Sequence, residues 1–209
     1  MRYGTIVCIT LAMLVSACAS ITTAHLDEVP TPDDGRVTVT DLRTAKQKEH
    51  RRDSTFSAIV FLGDDEVKPS AVLLLRSALQ KQTQVGGKLS LEISEFRVID
   101  YFPVRLRAGG QGLIGQAIMD ALADSKTDSA FIEHLAVPES ENSIICVVAG
   151  KLNGSPVKTA MFRTYKESAF AVSVRNDPSF KKAVVGSVEA CAEDLVSQMT
   201  QSGVPAAGS

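Results

Sequence analysis

Tryptophan is absent from this 209-residue chain, and aromatic residues make up only 5% of it. The stacked aromatic platforms that hold sugars or single-stranded nucleic acid therefore have little to be built from. Positive charge is not in excess either. With 22 Lys and Arg against 24 Asp and Glu, the electrostatic footprint of a nucleic-acid binder is missing, and no nucleic-acid partner is expected. The three histidines and four cysteines show no HxxxH, HxH or CxxC spacing, which leaves no expected metal site. His25 lies in a polar N-terminal stretch and His50 in a charged loop. His134, in "FIEHLAV", reads as a strand-edge residue with no nucleophile motif to serve. G-x-S-x-G does not occur. The chain reads as a non-enzyme, with no catalytic residue and no cofactor.

Long apolar runs are missing too. A membrane-spanning helix needs roughly 20 predominantly apolar residues, and the uncharged run from Ile6 to Val15 ends well short of that. What is present is Arg2, that apolar run, and the small residues Ser16 and Ala17 directly before Cys18, the three parts of an export signal. The tetrad Val15-Ser16-Ala17-Cys18 resembles the lipobox of bacterial lipoproteins. The resemblance implies cleavage before Cys18, a diacylglycerol on its sulfur and acylation of the new amino terminus. Two or three acyl chains at about 0.8 kcal/mol per buried CH₂ make such attachment practically permanent. Ala19 in place of Asp favours the outer membrane by the same resemblance, with the domain facing the periplasm. The alternative is an ordinary cleaved signal that leaves Cys18 as a free thiol.

These features divide the chain into a signal peptide (1–17), a lipidated tether (18–35), a folded domain (36–200) and a disordered tail (201–209). The tether, "ASITTAHLDEVPTPDDG" after Cys18, has no periodicity and would place the domain about 20–25 Å from the lipid surface. With Cys8 lost and Cys18 acylated, Cys146 and Cys191 remain as an even pair in an oxidising compartment. They form either a disulfide or two buried free thiols. With 44% hydrophobic residues, the remaining length suits a single domain with a real core.

"RVTVTDLR" (36–43) alternates at period two and predicts a strand, as does "TFSAIVFL" (55–62). "KPSAVLLLRSALQKQ" predicts a helix with Pro69 near its first turn and Val72, Leu75 and Leu79 on one stripe. The acidic run Asp64-Asp65-Glu66 is expected to serve that helix's N-terminus. "KLSLEISEFRVIDYF" (88–102) alternates through Leu89, Leu91 and Ile93, then Phe96 and Val98, the clearest strand in the chain. Asn153-Gly154 between two strand-like runs predicts a type I′ hairpin, with Pro156 marking an edge strand. Asp177 as N-cap and Pro178 at the first helical position open a last helix. Its buried stripe is Phe180, Val184, Val188, Cys191, Leu195 and Met199. These elements do not alternate as βαβ units, so the expected class is α+β, one domain with a mainly antiparallel sheet packed by helices that include an amphipathic C-terminal one.

Gly110-x-Gly112-x-x-Gly115 has the spacing of a dinucleotide-binding turn. Such a turn follows a strand buried on both faces. Here "FPVRLRA" precedes it, and Arg105 and Arg107 give that strand a wet face. No nucleotide partner is expected. The stretch reads instead as a glycine turn leading into an amphipathic helix. Gly109, Gly110, Gly112, Leu113 and Ile114 are candidates for docking a protein partner. The one basic concentration, "KQKEHRR" (46–52), is either a solvated loop or a contact for anionic headgroups.

Lipobox, tether, a strand ending in Asp41-x-Arg43 within "VTDLR", the helix "LLLRSALQKQ", a long alternating strand, a hairpin and a final helix together resemble the small YajG-type outer-membrane lipoproteins. The glycine turn and helix at 109–124 stand as an insertion relative to that pattern. The resemblance implies location and fold. Three function classes remain: a non-enzymatic lipoprotein that is an accessory of an envelope or transport assembly, a lipid- or small-ligand-binding lipoprotein with an apolar cavity under the 112–124 helix, and a periplasmic hydrolase built around His134. The first is expected.

Overall fold

The computed structural model describes residues 23–52, 59–83, 88–101, 137–138, 141–166 and 174–201. In chain order the elements are β1 (Ala24–His25), β2 (Val37–Asp41), α1 (Ala45–Lys48), β3 (Arg51–Arg52), β4 (Ile59–Phe61), β5 (Val67–Lys68), α2 (Ala71–Gln82), β6 (Leu89–Tyr101), β7 (Asn142–Leu152), β8 (Ser155–Tyr165), a 3₁₀ turn (Val174–Asn176) and α3 (Pro178–Gln201). The fold is α+β, a single domain whose main sheet runs β3-β4-β6-β7-β8 in antiparallel pairs. Two parallel pairings depart from that rule: β2 with the first half of β6, and β1 with β5.

The hairpin forms as its turn residues dictate. Asn153 and Gly154 take φ values of 49° and 81°, the two positive angles of a type I′ turn. Pro156 sits near the start of β8, at the edge of the sheet, where its missing N–H costs no ladder bond. Asp177 caps α3 by accepting the Ser179 N–H at 2.8 Å. Phe180, Val184, Val188, Cys191 and Leu195 are fully buried along one stripe of the helix, against β7, β8 and α2. Leu75 and Leu79 of α2 close the same core, each contributing about 2 kcal/mol of burial.

The acidic run does not serve α2. Ser70 caps it instead, accepting from the Leu73 N–H, with Pro69 directly before the cap. Asp64 and Glu66 are drawn away to Arg43 and Arg175. The segment read as a loose tether is also corrected from residue 23 onward. Ala24 and Leu26 are buried, and their N–H groups donate to Glu66 and Lys68 carbonyls at 2.7 and 2.8 Å. Beyond β1 the chain straps α2: the Thr31 N–H donates to Ser77 Oγ at 2.8 Å, Gln80 Nε2 to Asp34 Oδ1 at 2.9 Å, and Lys81 pairs with Glu28 at 2.8 Å. Polar side chains on α2, with Ser77 and Gln80 buried among them, satisfy a strap that has no periodicity of its own.

One irregularity in β6 decides what its second half presents. Ile93 pairs with Gly150 and Glu95 with Ala149, so Ser94 is an extra residue, a β-bulge. Leu89, Leu91 and Ile93 face the helices before it, and Phe96 and Val98 face them after it. Glu95, Arg97, Ile99 and Tyr101 are thereby turned to the opposite face, beside Ile145 and Val147 of β7. The bulge brings the backbones close. A Cβ on Gly150 would run into the Glu92 carbonyl oxygen, so glycine is required there.

Candidate functional site

Cys18, the docking candidates Gly109, Gly110, Gly112, Leu113 and Ile114, His134 and the 201–209 tail beyond Gln201 lie outside the described residues. Cys146 on β7 and Cys191 on α3 lie side by side as buried free thiols. Cys191 Sγ donates to the Cys146 carbonyl oxygen at 3.2 Å. Of the two readings open for this pair, the structure has the thiols and not the bridge. Burial pushes the Cys146 thiol well above its ordinary pKa, and the neighbouring Cys191 adds to the rise. A thiol held neutral in this way is a poor nucleophile.

Two charged clusters hold the fold. Arg43, two residues past the end of β2, is almost wholly buried and spends all five guanidinium N–H donors. Nε and Nη2 grip Asp41 at 2.9 Å each, Nη2 and Nη1 grip Asp64 at 2.8 and 3.1 Å, and Nη1 also reaches the Phe96 carbonyl at 3.1 Å. Partial burial pushes the Asp41 carboxyl's pKa up. Hydrogen bonds from the Arg43 side chain and N–H and from Lys48 outweigh it and hold the value at about 2. For Arg43, burial opposes the charge, and Asp41 and Asp64 more than restore it. A guanidinium saturated in this way clamps β2, the 62–66 loop and β6 together and has no donor left for a ligand.

The second cluster is deeper. Glu66 accepts from the Gly63 N–H at 2.7 Å and from Arg175 Nη2 at 3.1 Å, with His50 Nδ1 at 2.6 Å. Arg175 Nη1 reaches Asp100 Oδ2 at 3.3 Å, and the Tyr165 hydroxyl donates to Asp100 Oδ1 at 2.8 Å. The Arg175 guanidinium also lies 5.0 Å from the Phe180 ring centroid. This network fastens the loop before β5, the second half of β6 and the entrance to α3. Among the described residues, no group of three or more His, Cys, Asp or Glu side chains is placed to hold a metal ion.

A cavity of about 960 Å³ lies between the α1–β3 segment and the β6–β8 surface. Lys46 and Arg51, from the basic run at 46–52, meet Arg97 of β6 and Lys158 of β8 there, with Glu49 and Glu95 as the acidic members among its described lining. The run is therefore not only a solvated loop. It folds as α1, held by the Thr44 N–H donating to Gln47 Oε1 at 2.8 Å, and then as β3 on β4. Arg51 and Arg97 stack on one ring, their guanidinium carbons 4.4 and 5.2 Å from the Phe61 centroid. Arg97 Nε pairs with Glu95 at 3.0 Å, with side chains only 10% and 4% exposed. A second cavity of about 570 Å³, between β8 and the start of α3, is lined by four basic and four acidic described residues and so has no preference for either sign.

Sequence reading located Lys46 and Arg51 as a basic run but missed Glu95, Arg97 and Lys158. The available signal was the step of three from Ile93 to Phe96 inside an otherwise period-two strand, which is where the bulge falls. Among the described residues, no helix is long and apolar enough to cross a membrane. No family model matches the chain, and no curated protein or solved structure matches it significantly.

Proposed function

We propose that the chain is a non-enzymatic lipoprotein of the bacterial envelope, anchored to the outer membrane through Cys18 and serving as an accessory of an envelope or transport assembly. The Val15-Ser16-Ala17-Cys18 tetrad carries the reading. The resemblance of the element order to YajG-type lipoproteins supports it, as does the way the chain enters the fold. The buried Ala24 lies six positions after Cys18. At 3.3–3.6 Å per step they span at most about 22 Å when fully extended, so an acylated Cys18 keeps the domain close to the bilayer. The Gly109–Ile114 segment is the proposed docking element for an envelope protein.

Intact-mass and peptide mass spectrometry of membrane-extracted protein tests the anchor. A diacylglyceryl, N-acylated Cys18 is expected, with Cys18→Ser accumulating as unprocessed precursor. An unmodified mature terminus contradicts the reading. Shortening residues 109–112 is expected to lower recovery of a crosslinked partner without changing the circular dichroism, and unchanged recovery removes that segment's role.

A further inference from the structure

We infer that the 960 Å³ cavity is a binding site for a phosphate-bearing ligand, held by Lys46, Arg51, Arg97 and Lys158. The site does not depend on the lipid anchor, and it gives the small-ligand class a location other than the 112–124 helix. Its size falls in the range of small-molecule sites, about 300–1,000 Å³. Cations outnumber acids by two in its described lining, in a chain whose own net charge is −2. A phosphate monoester carries roughly −1.5 to −2 and offers the acceptor oxygens that Lys and Arg side chains recognise. The four cations come from α1, β3, β6 and β8, so it is the fold that gathers them.

The Arg97–Glu95 pair is the least expected part. It sits almost buried on a sheet face where Ile99, Ile145 and Val147 are its neighbours. A buried ion pair pays desolvation that an apolar pair of the same size avoids, so stability alone gives no reason for it. Facing a cavity, it has one: Glu95 and the Phe61 ring hold the Arg97 guanidinium in place, and a fork-shaped cation fixed in advance loses little freedom when it grips phosphate oxygens. Leu42, Leu62, Pro156 and Val157 also line the cavity and give a hydrocarbon part of the ligand apolar surface to meet. The same phosphate chemistry is offered by a lipid headgroup and by free phosphate.

The test is titration of the full-length protein in non-ionic detergent with dihexanoylphosphatidic acid, with inorganic phosphate, and with dihexanoylglycerol, which is the same lipid without its phosphate. Phosphatidic acid is expected to bind and to raise the melting temperature. The double variant Lys46→Gln/Lys158→Gln is expected to weaken that binding about tenfold, with the variant's own unliganded melting temperature taken as its baseline. Much tighter binding of phosphatidic acid than of inorganic phosphate identifies a lipid headgroup as the source. Equal binding identifies free phosphate. Absence of binding by both anions overturns the inference, as does dihexanoylglycerol binding as well as phosphatidic acid with no response to the two substitutions.

Discussion

The two halves of β6 obey different rules. From Leu89 to Ile93 the strand alternates buried and exposed residues beside the parallel β2, and the sequence pattern and the structure agree residue by residue. From Glu95 to Tyr101 nearly every side chain is buried, on both faces, beside the antiparallel β4 and β7. The bulge at Ser94 separates them. A strand with one wet face advertises its orientation through period-two hydrophobicity, whereas a strand buried on both faces mixes core residues with whatever its second face is used for. In this chain the second face carries Glu95 and Arg97 into the cavity.

The largest effect is expected where the halves join. Gly150→Ala places a methyl group against the Glu92 backbone, which has no flexible end to yield, and is expected to cost about 4 kcal/mol or more in urea unfolding. A milder loss would mean the close approach at the bulge is not needed. Within the second half, Arg175→Met takes the cation from Glu66 and Asp100, both buried, and is expected to cost about 3 kcal/mol. Tyr165→Phe, which removes one hydrogen bond to Asp100, should cost about 1.5 kcal/mol by the same measurement. Equal losses for these two would place the energy in packing instead of charge pairing.

The first half is probed more gently through Asp41, which pairs with Ile93 at the last residue before the bulge. Its folded pKa of about 2 lies below the ordinary 3.8. Its stabilising contribution is therefore fully present above pH 3.8 and is lost as the pH falls toward 2. Asp41→Asn is expected to flatten the fall in urea midpoint between pH 4 and pH 2, leaving a smaller slope from Asp34, whose pKa is also about 2 because of its bonds to Arg36. An unchanged slope would contradict the clamp on Arg43.

Local chemistry explains which parts of the fold were legible. Asn153-Gly154, Asp177-Pro178 and the α3 stripe each state their structure within a few residues. The strap at 23–35 was not legible, because its partners Ser77 and Gln80 lie 46 residues away along the chain. The Glu66–Arg175 contact spans 109 positions. The cavity was hidden for the same reason. Half of its cations stood out as a basic run, and the other half came from β6 and β8, where single charges in apolar strands look like ordinary solvent-facing residues.

The most direct test of the claim that the bulge turns Glu95 and Arg97 toward a ligand is titration of the double variant Glu95→Gln/Arg97→Met with dihexanoylphosphatidic acid, with the variant's unfolding midpoint taken from the same sample. Stability within about 1 kcal/mol of the parent, or above it, is expected together with at least a tenfold loss of affinity, because the pair serves binding and not the fold. A variant that loses several kcal/mol and still binds the lipid as tightly as the parent would contradict it.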